Sequence, residues 1–301
     1  MKTSREEVAA FPLLDAHSHY VGRRAEGAGY TVADLLAAMD AAGIRRMVVL
    51  GFGREVVPQL ARQYPDRFIP SYAGDVSFGA RQLRGEIRDG TDPRVVDAIG
   101  EEFEAALQSG RYRGVGEIHT YALPIPSATT GGAPAPGSTI SPDSPLVRRL
   151  LELAGRYGVP INIHCENYGA AEMARAVRAH PKTRVVWAHT GSVLSPTEIR
   201  RFLDELPNLS FDLSTKNPAC CPRGFREHPL IVTGGALEES WRALLEGYPD
   251  RVLVGVDFFS TAHLARARDA GEYLRGILSQ LTPATARKLA FENAARLYGL
   301  R

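Results

Sequence analysis

Short runs dominated by Val, Ile and Leu alternate along the whole chain with stretches in which apolar residues recur every three or four positions. The runs cover residues 11–16, 44–50, 68–73, 114–118, 159–163, 184–188, 209–213 and 251–256. They are nearly continuous in apolar character, not alternating, as parallel strands buried on both faces must be. The periodic stretches between them read as helices packed against those strands.

The helices carry their own boundaries. Thr31 with Asp34 forms a capping-box pattern ahead of Val32, Leu35, Leu36, Met39 and Ala42, and Gly43 supplies a stop. Ser144-Pro145, Ser195-Pro196 and Thr282-Pro283 each place a capping hydroxyl before a proline at the first helical position. The tetrapeptide Tyr-Pro-Asp-Arg occurs at 64–67 and again at 248–251, each time leading into a strand. Eight β/α units without a glycine-rich dinucleotide fingerprint predict one closed (β/α)₈ TIM barrel, an α/β fold, spanning residues 1–301 as a single domain. The one irregular insert, 121–143, is rich in Pro, Gly, Ser and Thr. It follows the fourth strand and should hang over the C-terminal mouth of the barrel, where such folds place their chemistry.

Composition narrows the partners. The 36 basic and 34 acidic residues are interspersed, giving a net charge of +2 with no basic block, so no nucleic-acid partner is expected. No apolar stretch approaches the roughly 18 residues of a membrane span, and the N-terminus has no signal-like apolar segment. The three cysteines, Cys165, Cys220 and Cys221, are a poor disulfide framework and fit a reducing compartment, so the expected location is cytoplasmic. A small-molecule substrate is the expected partner, and a homo-oligomer is left open.

Five of the eight histidines fall at the C-terminal ends of strands 1, 4, 5 and 6. In Asp15-Ala16-His17-Ser18-His19, the two imidazoles are one pleat repeat apart, about 6.5 to 7 Å along the strand. That lets both reach one ion at about 2.0 to 2.1 Å. Taken alone, the pair fits a polar strand-to-loop junction equally well. However, strand 4 ends in Gly116-Glu117-Ile118-His119, strand 5 in His164, strand 6 in His189 and strand 8 in Asp257. An ionisable group ending an apolar run is costly to bury unless it is paired or ligates a metal. Five such sites in register at one rim point to a metal centre.

This ordered set resembles the amidohydrolase superfamily of metal-dependent hydrolases. The tail Asn293-Ala294-Ala295-Arg296-Leu297-Tyr298 looks like the C-terminal helix of its amidohydrolase-related branch, whereas Gly114-Val115-Gly116-Glu117-Ile118 is similar to the strand-4 motif of its TatD-like branch. The resemblance implies that His17, His19 and Asp257 hold a first divalent metal and His164 and His189 a second. Glu117 would bridge the two, in the place where other branches carry a carboxylated lysine. Zn²⁺ is the expected metal and Mn²⁺ an alternative, with one or two ions. Asp257 would also take the proton of the attacking water, with His189 as a further catalytic group. Some members of the amidohydrolase-related branch are instead decarboxylases of small acids, with one metal on residues matching His17, His19, His164 and Asp257. The hydrolase reading implies an ester, lactone, amide or phosphoester substrate.

Three residues are candidates for holding that substrate. His119 is two positions past Glu117 and points the same way, Arg23 follows the first motif together with Arg24, and Lys216 follows strand 7. Tyr20, Tyr72, Phe258 and Phe259 are pocket or packing candidates. Cys165 should point away from its neighbour His164. His180, His228 and His263 read as turn or helix residues.

Overall fold

The eight apolar runs become the eight strands of one parallel sheet: β1 Leu13–Ser18, β2 Ile44–Gly51, β3 Phe68–Tyr72, β4 Gly114–His119, β5 Ile161–His164, β6 Val185–Trp187, β7 Leu209–Asp212 and β8 Val252–Leu253. Each pairs with its neighbour in sequence, so the order in space is the order in the chain. The computed structural model describes residues 3, 5–20, 29–125, 136–218 and 230–300. A small antiparallel hairpin, Val232–Thr233 with Ala236–Leu237, lies outside the barrel sheet.

The barrel closes between β1 and β8, although no strand ladder joins them. Backbone bonds Ala16 N to Val254 O (2.9 Å), Asp257 N to His17 O (2.8 Å) and His19 N to Phe258 O (2.8 Å) run across the seam. Two side chains complete it: the Asp15 carboxylate accepts from Val256 N at 3.1 Å and the Ser18 hydroxyl from Phe258 N at 2.9 Å. This is why β8 is only two residues long, where the apolar pattern predicts six. Beyond Leu253 the Val256 and Phe258 amides are taken by side chains, and the chain departs from strand geometry, with Asp257 at φ 54°. β1 likewise begins two residues later than the apolar pattern predicts and extends through His17 to Ser18.

The barrel interior is filled by Leu14, Ala16, Val48, Leu50, Ile69, Val186 and Leu253, with Ala294 and Tyr298 of the C-terminal helical run packed among them. Neighbouring positions such as Leu13, Met47 and Val49 face the surrounding helices instead. The predicted caps are present. Thr31 and Ser195 form full capping boxes, while Ser144 and Thr282 accept from the third residue of their helices. The repeated Tyr-Pro-Asp-Arg makes one turn twice: Tyr64 and Tyr248 cap their helices, and Arg67 and Arg251 each reach back to a backbone carbonyl at the start of the preceding strand, Arg45 O and Leu209 O. The final helix is interrupted by a π-helical segment at Lys288–Glu292. The insert after β4 is pinned at its base by the bridge Ala122–Ser138 and by Gln82 against Thr139.

Gly116 shows how tightly β4 and β5 approach beneath the mouth. Its φ is 116°, and a Cβ there would lie 2.3 Å from the Asn162 carbonyl oxygen. Gly116→Ala should therefore shift the urea unfolding midpoint by the equivalent of about 2 to 4 kcal/mol towards instability. Gly276 lies within the helix Ala267–Leu278 and has nothing within 4 Å of a would-be Cβ. Gly276→Ala should leave stability unchanged or raise it by up to about 1 kcal/mol.

Candidate active site

The C-terminal strand ends bring five imidazoles round one carboxylate. Glu117 lies 3.4 Å from His17 Nε2, 3.3 Å from His19 Nε2, 2.9 Å from His119 Nε2, 3.1 Å from His164 Nδ1 and 3.0 Å from His189 Nε2. Asp257 Oδ1 stands 3.4 Å from His19 Nε2 and 3.8 Å from His17 Nε2. The rings form a continuous arc in the order His19, His17, His189, His164, His119, with centroids 4.5 to 5.6 Å apart.

Three of these rings are aimed by their other nitrogen. His17 Nδ1 is held by Asp212 Oδ2 at 2.9 Å, His19 Nδ1 by the Leu50 carbonyl at 2.9 Å, and His189 Nδ1 by the Ser214 hydroxyl at 2.7 Å. A partner that accepts a hydrogen bond from Nδ1–H leaves Nε2 as a lone-pair donor facing inward, the usual way proteins orient metal-binding histidines. His17 Nε2 is fully buried and has no hydrogen-bond partner. Among the described residues, three groups place ligand atoms within 4.8 Å of one another: His17, His19 and Asp257; His17, Glu117 and His189; and Glu117, His119 and His164. An orphaned imidazole nitrogen amid nitrogen and oxygen donors fits a divalent cation well.

Asp212 at the end of β7 is the residue that sequence reasoning missed. It is fully buried and accepts from His17, from Asn162 Nδ2 (3.2 Å), from the His189 amide (2.9 Å) and from both the amide and hydroxyl of Ser214 (3.2 and 2.5 Å). Its signal was present: a carboxylate within the apolar run 209–213 is as costly as those at the other strand ends.

His189 is presented by an unusual backbone. His189, Thr190, Gly191 and Ser192 have φ of 59°, 54°, 61° and 65°, four successive left-handed residues. L-residues visit that region singly, at a cost of about 1 to 2 kcal/mol each, so contacts from outside the turn must hold it.

The Amidohydrolase family model matches residues 14–300. The chain belongs to this family. Its fold is similar to that of an uncharacterized TIM-barrel protein from Bordetella bronchiseptica (16% identity, TM-score 0.65, covering 96% of this chain and 98% of that one). It also resembles a zinc-bound amidohydrolase from Burkholderia multivorans (17% identity, TM-score 0.60, 96% and 100% covered). A probable 2-pyrone-4,6-dicarboxylic acid hydrolase from Acinetobacter baumannii with citric acid bound is a third such structure (15% identity, TM-score 0.59, 96% and 99% covered). No curated protein matches the sequence.

This amidohydrolase gathers most of the expected site residues around Glu117. The resemblance assigned His164 and His189 to one metal. In the structure both flank Glu117 Oε1, His164 Nδ1 at 3.1 Å and His189 Nε2 at 3.0 Å, while His189 also lies beside His17, and His164 beside His119 with its Nε2 turned to Glu166 at 3.2 Å. His119 is the most exposed of the five rings, at 23%. Lys216, expected at the mouth, is instead fully buried, with its ammonium donating to the Ser192 carbonyl at 2.7 Å. Arg23 and Arg24 lie outside the described residues, as do Cys220, Cys221 and His228. Phe259 faces His19 at 6.5 Å between ring centres and covers the buried His263. Tyr72 and Phe258 are core residues, and the Tyr72 hydroxyl is committed to Asp75 and Glu102. The Cys165 thiol is buried and pushed up to about 12 by that burial, which rules it out as a nucleophile at neutral pH. No helix among the described residues is long and apolar enough to cross a membrane.

Charge in the metal-free site is stored as protons. Burial alone would lower the histidine pKa values, but hydrogen bonds and carboxylate charge outweigh it: Asp257 and Glu117 raise His19 to about 9, and Glu117 and Glu166 raise His164 to about 9. His17 is raised well above its usual range by Asp212 and Glu117 against the same penalty. Burial opposes ionisation of Asp212, yet the charge of His17 holds it down at about 2. Glu117 and Asp257 are likewise held below the carboxylate range. His119 goes the other way, lowered chiefly by burial.

A cation must therefore displace protons, and raised histidine pKa values mean this competition fades only as pH climbs through them. Zn²⁺ affinity should rise as pH climbs from 6 through about 9, by about tenfold per pH unit for each proton displaced. Titration against a chelator of known pH dependence checks it, and a flat profile would contradict it. Asp212→Asn removes the anionic acceptor that aims His17 and should weaken Zn²⁺ binding by about 10- to 100-fold without unfolding the barrel.

Proposed function

We propose that this amidohydrolase is a zinc-dependent hydrolase that opens an ester, lactone, amide or phosphoester bond in a small molecule. The observation that carries the reading is Asp257. Its carboxylate shares one ligand group with His17 and His19 at the open end of the barrel, where it can both hold a cation and meet a water. His17, His19 and Asp257 would hold the first cation, and Glu117 would join His189, or His119 with His164, to hold a second. Such a cation supplies a Lewis acid that polarises a carbonyl or phosphoryl group and draws the pKa of water towards neutrality. Asp257, kept ionised, accepts the proton of the attacking water and returns it to the leaving group. Asp212 and Ser214 keep the His17 and His189 rings from turning while this happens. His119, with the most open ring, is positioned to touch the substrate.

Screening small esters, lactones, amides and phosphoesters in H₂¹⁸O tests the class. Hydrolysis puts solvent oxygen into the product, whereas release of CO₂ from a carboxylic acid would point to the decarboxylase branch.

Asp257→Asn separates chemistry from metal holding. Asn tolerates the left-handed backbone at this position and keeps one ligand oxygen, but it cannot accept a proton at neutral pH. Turnover on whichever substrate is found should fall by at least about 100-fold, within the range usual for loss of a general base. Much of the metal should be retained. Near wild-type turnover with metal bound would remove Asp257 from the mechanism.

A further inference from the structure

The segment leaving β7 grips the left-handed turn at three points. Asp212 receives the His189 amide at 2.9 Å, the Ser214 hydroxyl meets His189 Nδ1 at 2.7 Å, and the Lys216 ammonium donates to the Ser192 carbonyl at 2.7 Å. The first two contacts fall where the turn begins and the third where it ends. Asn217 extends the grip in the other direction, donating to the Val256 carbonyl at 3.3 Å, next to Asp257.

The turn's own bonds are short-range: Gly191 N to Ala188 O, Ser192 N to His189 O and Val193 N to Gly191 O, at 2.9 to 3.1 Å. Three of its four residues carry a Cβ in a region where runs of L-residues do not persist unaided. Released at Ser192, the turn would relax towards ordinary φ and swing His189 away from Glu117. Lys216 is fully buried, and its Nζ lies 5.8 Å from the ring centre of Trp241. A buried cation is unfavourable unless it is partnered, so an apolar side chain would be the natural occupant if packing were all this position required.

We propose that Lys216 is a positioning residue: by holding the Ser192 carbonyl it keeps the turn His189–Ser192 left-handed and thereby fixes His189 Nε2 opposite Glu117. The proposal rests on the hydrolase reading only where His189 is treated as a metal ligand, and its test has one arm that does not need metal.

The variant is Lys216→Met in the full chain, which keeps length and apolar bulk but loses the donor. By hydrogen–deuterium exchange, the Gly191 and Ser192 amides should exchange about tenfold faster or more, with β2 and β3 unchanged. By visible-light Co²⁺ titration, the ion lost in His189→Ala should bind about tenfold more weakly, while the ion lost in His19→Ala is unaffected. Adding Ser192→Gly, which accepts left-handed φ freely, should bring both readouts back to within about threefold of wild type.

A folded Lys216→Met protein with both readouts within about twofold of wild type would overturn the proposal. So would loosening spread through the whole barrel that Ser192→Gly does not correct. If Lys216→Met fails to fold alone, recovery of folded protein in the double variant supports the proposal, and failure of the double variant overturns it. A wild-type chain that takes up no Co²⁺ would sink the metal reading, and amide exchange would still decide the role of Lys216.

Discussion

The Glu117 carboxylate, nearly excluded from solvent, sits within 3.4 Å of nitrogens from five imidazoles. A buried, unpartnered anion would cost far more than a domain of this size can spare, so the charge exists only because the rings surround it. His17, His19 and His164 in turn can crowd together only because Glu117, Asp212, Asp257 and Glu166 offset the protons they carry. Each half of the cluster makes the other tolerable. Removing one partner strands its neighbours, whereas a divalent cation would take over the same balancing task from the protons.

What surrounds the cluster is arranged to serve it. Asp212 and Ser214 on the β7 side aim His17 and His189, Leu50 at the end of β2 aims His19, and the seam between β1 and β8 places Asp257 beside both strand-1 histidines. Backbone strain is concentrated at the same rim: of the five non-glycine residues with positive φ among the described residues, three lie in the turn at His189 and one is Asp257. The rest of the barrel is regular enough to absorb it, with capped helices and a filled interior.

The architecture could be read from the chain because strand runs, capping hydroxyls and stop signals are local features. The rim residues His17, His19, Glu117, His119, His164, His189 and Asp257 could also be read, because an ionisable group ending an apolar run is conspicuous. Asp212 was hidden inside such a run. The turn of the His164 Nε2 to Glu166 depends on ring directions around the barrel, which strand register alone does not specify. The left-handed turn has no local signature beyond Gly191, because contacts from the β7 side override the preferences of His189, Thr190 and Ser192. Lys216 is marked in the chain only by its place after strand 7, and the structure turns it inward against Ser192. The early end of β8 follows from Asp15 and Ser18 bonding to backbone amides 240 or more positions away, a pairing invisible to any local pattern.

That seam has a consequence for how the molecule comes to exist. His17 and Asp257 are joined by a backbone bond across one of the longest sequence separations in the barrel. Contacts of that span carry a large loop-closure cost and belong to the late stages of folding. A chain with seven strands assembled holds most of the histidines but no complete first ligand group, so competence and closure arrive in a single event. Anything bound by His17, His19 and Asp257 together is held from both margins of the seam and stabilises the sealed barrel over a gaping one by mass action. A cation held there would act as the barrel's clasp.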